Sequence, residues 1–163
     1  RMMNGIPGYV NVRFFGIFGK YEDYAIRFIS NAVCKAIFDL PITLRQDKRF
    51  DYTSVQDGVR AIGRFLCAAP ESLRYNDYNV TPDRTVSLLE VARIVREIAG
   101  KPDLPIIVGS PGQGLEYSGD NGRFKERFPD FSFTPIEDSV KELYDWYESV
   151  KEQIDRDKLL VDK

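Results

Sequence analysis

The 163 residues contain no histidine, and that count removes whole classes of chemistry. Ser-His-Asp and Cys-His triads, imidazole acid–base catalysis and histidine-ligated zinc are all excluded. Intrinsic catalysis would have to come from carboxylates, tyrosine or lysine. Tyr147 and Lys151 stand four apart on a helical pattern, a spacing at which an ammonium can depress a tyrosine pKa for proton transfer. Amphipathic surface helices place Tyr and Lys at this spacing routinely, and nothing nearby in the sequence suggests a cofactor site. Gly109-Ser110-Pro111-Gly112-Gln113-Gly114 has the glycine content of a phosphate loop. A dinucleotide fingerprint, however, opens directly into a helix whose N-terminus holds the pyrophosphate. Leu115-Glu116-Tyr117-Ser118-Gly119 is no helix start, so the stretch reads as a plain turn. Cys34 and Cys67 both fall in apolar helical patterns and read as buried thiols of a cytosolic protein, not as a disulfide or metal pair. The sequence therefore assigns no catalytic residue and no metal ligand.

The elements that would position any site alternate between strand and helix. Residues 9–15 are β-branched and aromatic and predict a buried strand, followed by a loop over 16–22. Helical spacing of Ile26, Ile29, Val33 and Ile37 predicts a helix over 23–38, with Asp23 as N-cap and Pro41 beyond its end. Short extended segments follow at 42–45 and 50–55, then a helix over 55–69 stopped before Pro70. A strand is expected at 75–80, and a strong helix carries Leu88, Leu89, Val91, Ala92, Val95, Ile98 and Ala99 up to Gly100. Residues 105–108 read as a strand, 109–114 as a turn, 115–120 as extended and 121–128 as a short helix. The last helix runs from 136 to about 154, and the charged tail after it is expected to fray. This order defines an α/β chain.

Bulk properties agree with one soluble domain of residues 1–163. A composition 43% hydrophobic and 29% charged suits a globular core without disulfides or metals. The net charge of -2 gives no field for nucleic acid or an anionic membrane. No apolar run is long enough to span a bilayer, and the start is not a signal peptide, so a cytoplasmic protein is expected. Arg1-Met2-Met3-Asn4-Gly5 reads as the last turn of a helix stopped by glycine, with no helix before it. That opening predicts a truncated or proteolytic fragment.

In this order the chain resembles the C-terminal half of extended short-chain dehydrogenases/reductases, the family of sugar-nucleotide epimerases, dehydratases and reductases. Val12-Arg13-Phe14-Phe15-Gly16-Ile17-Phe18-Gly19 is similar to the family's Leu-Arg-x-x-Asn-x-Tyr-Gly strand and loop. Arg27-Phe28-Ile29 resembles the basic motif opening the substrate helix, and residues 50–61 resemble Arg-Asp-Phe-x-x-Val-x-Asp-x-x-x-Ala. Tyr78-Asn79-Val80, Ser87-Leu88-Leu89-Glu90-Val91-Ala92, Asp120 and Phe133-Thr134-Pro135-Ile136 continue the likeness through to Trp146. The resemblance implies the last Rossmann strands, at about 9–15 and 75–80, plus a small mixed α/β substrate domain. The N-terminal Rossmann portion, with its GxxGxxG loop and Tyr-x-x-x-Lys pair, would lie upstream.

The resemblance also implies a site. The substrate would be a nucleotide-sugar, with Arg27 the leading phosphate contact. Arg45, Lys48, Arg49 and Arg123 are further cationic candidates, and Tyr21, Phe28 and Tyr52 could stack on a base or sugar. Phe50 takes the place of the family's phosphate-binding Arg, and Arg49, one residue early, would face the opposite side of a regular strand. Ser110 replaces a second family Arg, and Gly16 replaces the substrate-contacting Asn. Arg13, Phe15 and Gly16 would pass near the nicotinamide. NAD or NADP is expected in the whole enzyme and none on this chain alone, whose exposed sheet edges predict self-association. Oxidoreductase, isomerase and lyase chemistry all stay open. So do two other readings: a non-catalytic binding or regulatory module of the same fold, and a reductase-like relative acting on a smaller substrate without a nucleotide.

Overall fold

The structure, a computed structural model, describes residues 9–160. The helix stop expected at residues 1–5 lies outside them. Among the described residues, eight short strands are interspersed with five α-helices. They are β1 (Asn11–Arg13), β2 (Gly16–Phe18), α1 (Phe28–Ile37), β3 (Ile42–Asp47), β4 (Arg49–Phe50), β5 (Tyr52–Ser54), α2 (Val55–Leu66), β6 (Asp77–Asn79), β7 (Val86–Ser87), α3 (Leu88–Ile98), β8 (Ile106–Gln113), α4 (Gly122–Arg127) and α5 (Ile136–Ser149). The strands associate in pairs. β1–β6, β2–β5 and β3–β8 are parallel, and β4–β7 is antiparallel.

α1 is the central helix. Its residues from Ile29 to Ile37 are buried except Asn31, because α3 and α5 pack on it from two sides. Val91, Ala92 and Val95 of α3 and Val140, Leu143 and Tyr147 of α5 complete this core with Ile42 of β3. Each fully buried aliphatic or aromatic side chain here contributes about 1.5–3 kcal/mol. A second core joins Ala61 of α2, Tyr78 of β6 and Phe124 of α4, with Val10, Val12 and Phe14 packed against them.

α2 and α3 begin with the same device. Ser54 and Ser87 accept hydrogen bonds through Oγ from the N–H of Asp57 at 3.2 Å and Glu90 at 3.1 Å. The buried Asp57 carboxylate then ties α2 to the segment before α5 through Thr134.

Five expectations need correction. The helix predicted from residue 23 starts at Phe28, because Asp23 holds a local turn through Ala25 N–H at 2.9 Å and Arg27 N–H at 2.9 Å. Residues 16–18, expected as loop, form β2 because Tyr52–Ser54 pairs with them. Residues 109–113, expected as a turn, continue β8 alongside β3. Cys67 is exposed just past α2, while Cys34 is buried. Leu159 is buried in the main core, within a 3-10 turn over Arg156–Leu159, so the tail up to that point is fixed.

Candidate functional site

Helix α1 and strand β3 enclose the cavity of interest, about 560 Å³ in volume. Phe28, Asn31 and Lys35 line it from the helix side, Thr43 and Arg45 from the strand. Lys48 and Phe50 extend the wall. Thr43 and Arg45 are two apart on β3 and so share one face, while Ile42 and Leu44 turn into the core. Lys35, four residues beyond Asn31 and on the same face of α1, is only 3% exposed, and its ammonium donates to Thr43 Oγ1 at 2.6 Å. Asn31 Nδ2 donates to the Tyr24 carbonyl at 2.9 Å, which fixes the loop leading into the helix.

That loop is also held from below. Glu22 accepts from Ser30 Oγ at 2.7 Å, and burial pushes its carboxyl above the usual carboxylate range. Tyr147 donates its hydroxyl to the Glu22 carbonyl at 3.1 Å. Burial also raises the Tyr147 phenol. Tyr147 lies in the core, whereas the Lys151 ammonium sits 3.7 Å from the Glu148 carboxylate and over the Phe38 ring. The spacing of Tyr147 and Lys151 is therefore structural.

The residues singled out from sequence fall in three places. Phe28, Arg45 and Phe50 line the cavity, together with Lys48. Arg27, its side chain 70% exposed, stands 3.9 Å from the Glu22 carboxylate and is not among the lining residues. Tyr21 is exposed at a φ of 69° and meets the Trp146 ring edge-on at 5.0 Å. Arg49 turns away from the cavity and donates to Thr85 Oγ1 at 3.0 Å and to the Thr85 carbonyl at 2.5 Å. Tyr52 packs edge-on against Phe18, and burial raises its phenol.

Arg13 and Arg123 meet elsewhere, on the β1–β6 pair. Both donate to Asp77 Oδ2, at 2.7 and 2.6 Å, and Arg13 also donates to Asn79 Oδ1 at 2.8 Å. Phe15 packs on Tyr117, and its ring lies 2.3 Å from where a Cβ on Gly119 would be. A Cβ on Gly16 would stand 3.0 Å from the Tyr52 ring. These are close-packing contacts. The glycine-rich stretch at 109–113 is strand and not a loop opening into a helix. Among the described residues, no three His, Cys, Asp or Glu side chains gather as metal ligands, and no helix is long and apolar enough to cross a membrane.

Lys35, Asn31 and Thr43 escaped the sequence reading. One signal was available: a single lysine inside Ala32-Val33-Cys34-Lys35-Ala36-Ile37, an otherwise apolar run. A charge there must have a polar destination.

The fold is shared with part of several solved sugar-nucleotide epimerase, dehydratase and synthetase structures. A GDP-L-fucose synthetase from Naegleria fowleri is similar over 88% of this chain and 46% of its own, at 15% identity and a TM-score of 0.74. The dTDP-glucose 4,6-dehydratase from Bacillus anthracis, solved in complex with NAD, gives 86%, 45%, 23% and 0.72 for the same quantities. The UDP-glucuronic acid 4-epimerase from Bacillus cereus, in complex with UDP-glucuronic acid and NAD, gives 86%, 45%, 18% and 0.71. The chain thus spans about half the length of these solved structures. No protein-family model and no curated protein matches it.

Proposed function

We propose that the chain is the substrate side of an NAD(P)-dependent sugar-nucleotide epimerase, dehydratase or reductase, with the α1–β3 cavity receiving the nucleotide-sugar. One observation carries this reading: a cavity walled by aromatic and cationic side chains, on a fold shared with structures solved with NAD and with a nucleotide-sugar. Phe28 and Phe50 offer apolar faces for a base or sugar, and Asn31 offers an amide. The role of the cavity is to fix the sugar while a second, dinucleotide-holding portion supplies the hydride chemistry. In this reading β1 and β6 are the last strands of that portion's parallel sheet, and the chain does not turn over substrate alone.

A panel of UDP-, dTDP- and GDP-sugars tested by thermal shift on the full-length protein decides the matter. Stabilisation by one nucleotide class is expected, and a flat response to every nucleotide overturns the reading. A non-catalytic binding module of the same fold is the second reading. It is favoured by Phe50 standing where a phosphate-binding Arg is expected, with Arg49 committed to Thr85. Turnover by the full-length protein with NAD(P) and the bound sugar-nucleotide excludes it.

A further inference from the structure

We infer that the outer edge of β8 is an interface with a second copy of this chain, formed by antiparallel pairing of residues 106–110 about a twofold axis at Val108. β8 pairs with β3 and, among the described residues, with no other strand. Parallel strands ordinarily lie inside a larger sheet, and two strands alone are marginally stable. The Ile42 N–H donates to the Pro105 carbonyl at 2.9 Å, and Ile42 stands opposite Ile106. Backbone groups alternate sides along a parallel ladder, so the N–H and C=O of Ile106, Val108 and Ser110 point away from β3. Beside them Ile107 is 50% exposed and Val108 39%.

This edge lacks the usual protection. Natural sheet edges are guarded by lysine or by inward-pointing charges, yet no charged residue occurs from Leu104 to Leu115. An uncharged strand meets its own copy without like-charge repulsion, as a contact between identical surfaces requires. The register is set by the ends of the segment. Pro105 precedes it, and Pro111 follows where the pairing with β3 shifts from Ser110 to Gln113. An antiparallel pair centred on the middle residue matches Val108 with itself and Ile106 of each copy with Ser110 of the other. That register uses every outward N–H and C=O of the segment and gives a four-stranded sheet. Ile106 packs against the main core, whereas Val10, Val12 and Tyr78 belong to the second, so this edge stays available whatever pairs with β1.

Disulfide trapping in the full chain tests the axis, using Val108→Cys, Ile107→Cys and Leu160→Cys, each combined with Cys67→Ser. All three positions are exposed, and Cys34 is buried. In the pairing described, the Cα atoms of residue 108 in the two copies lie about 5.5 Å apart, within disulfide reach. Those of residue 107 are offset by two positions along the strands and lie about 8 Å apart, beyond it. Under mild oxidation Val108→Cys should therefore give covalent dimer at least about tenfold faster than either of the other variants. Comparable rates for all three, faster trapping of Ile107→Cys or of Leu160→Cys, or no dimer from Val108→Cys overturns the interface.

Discussion

Asp57 and Thr134, 77 positions apart, are joined by two hydrogen bonds. The Asp57 carboxylate accepts from the Thr134 N–H at 2.8 Å and from its hydroxyl at 3.0 Å. Only 2% of Asp57 is exposed, and Arg60 lies 3.1 Å from it on the next turn of α2. The Asp57 side chain therefore docks the α5 entry segment onto α2. Asp57→Ala strands buried donors and should destabilise the protein by about 2–4 kcal/mol in urea unfolding. Asp57→Asn, which keeps one acceptor, should cost less. A loss under about 0.5 kcal/mol for the alanine variant would show the link to be idle.

The two thiols should separate cleanly. Burial pushes the Cys34 thiol up to about 12, while Cys67 is exposed beyond α2. Maleimide should label one cysteine, Cys67, in the folded chain and both after unfolding. Rapid labelling of Cys34 under native conditions would contradict the packing of α1.

Burial raises the Asp51 carboxyl, against the opposing pull of the Gly119 N–H, which donates to Oδ2 at 2.8 Å. The folded protein then keeps this proton at a pH where the unfolded chain has released it. Its contribution is present below the ordinary carboxylate range and is lost as pH rises through the raised folded value. Asp51→Asn can still accept from Gly119 N–H but does not titrate. Relative to the unmodified chain, its melting temperature should therefore climb between about pH 4 and about pH 7. A difference that stays constant across this interval would refute the effect.

How much of this was legible depends on the range of the interaction involved. Helices α2, α3 and α5 follow from apolar spacing within a single turn, and the sequence places them to within a few residues. Short strands depend on partners far along the chain. Gly16–Phe18 carries loop-forming glycine and is extended only because Tyr52–Ser54 lies beside it. At Gly109, glycine serves close approach: a Cβ would sit 3.2 Å from the Arg45 carbonyl of the paired strand. Composition reports glycine without saying which of its uses applies. In the site, aromatic and arginine candidates stood out by type, and three of the arginines, Arg13, Arg49 and Arg123, are committed to other partners. Lys35 was hidden because an apolar helix reads as core throughout.

Val59, Ile62 and Leu66 form an apolar stripe along α2 that stays exposed, Leu66 at 81%. β1 pairs only with β6 among the described residues, which leaves a strand edge open beside Tyr9 and Val10. The isolated chain should self-associate through this surface, and Leu66→Glu should shift it toward monomer in sedimentation equilibrium. A monomer whose unfolding is sharp and independent of concentration would remove the expectation.

The parallel pairing of β1 with β6 also imposes an order of events. Arg13 finds Asn79 only 66 positions further on, and Phe18 waits for Ser54. Within this stretch, β1 and β2 gain these partners only once the later strands have been made. For the length of that delay Phe15 is without the Tyr117 ring on which it packs in the folded chain.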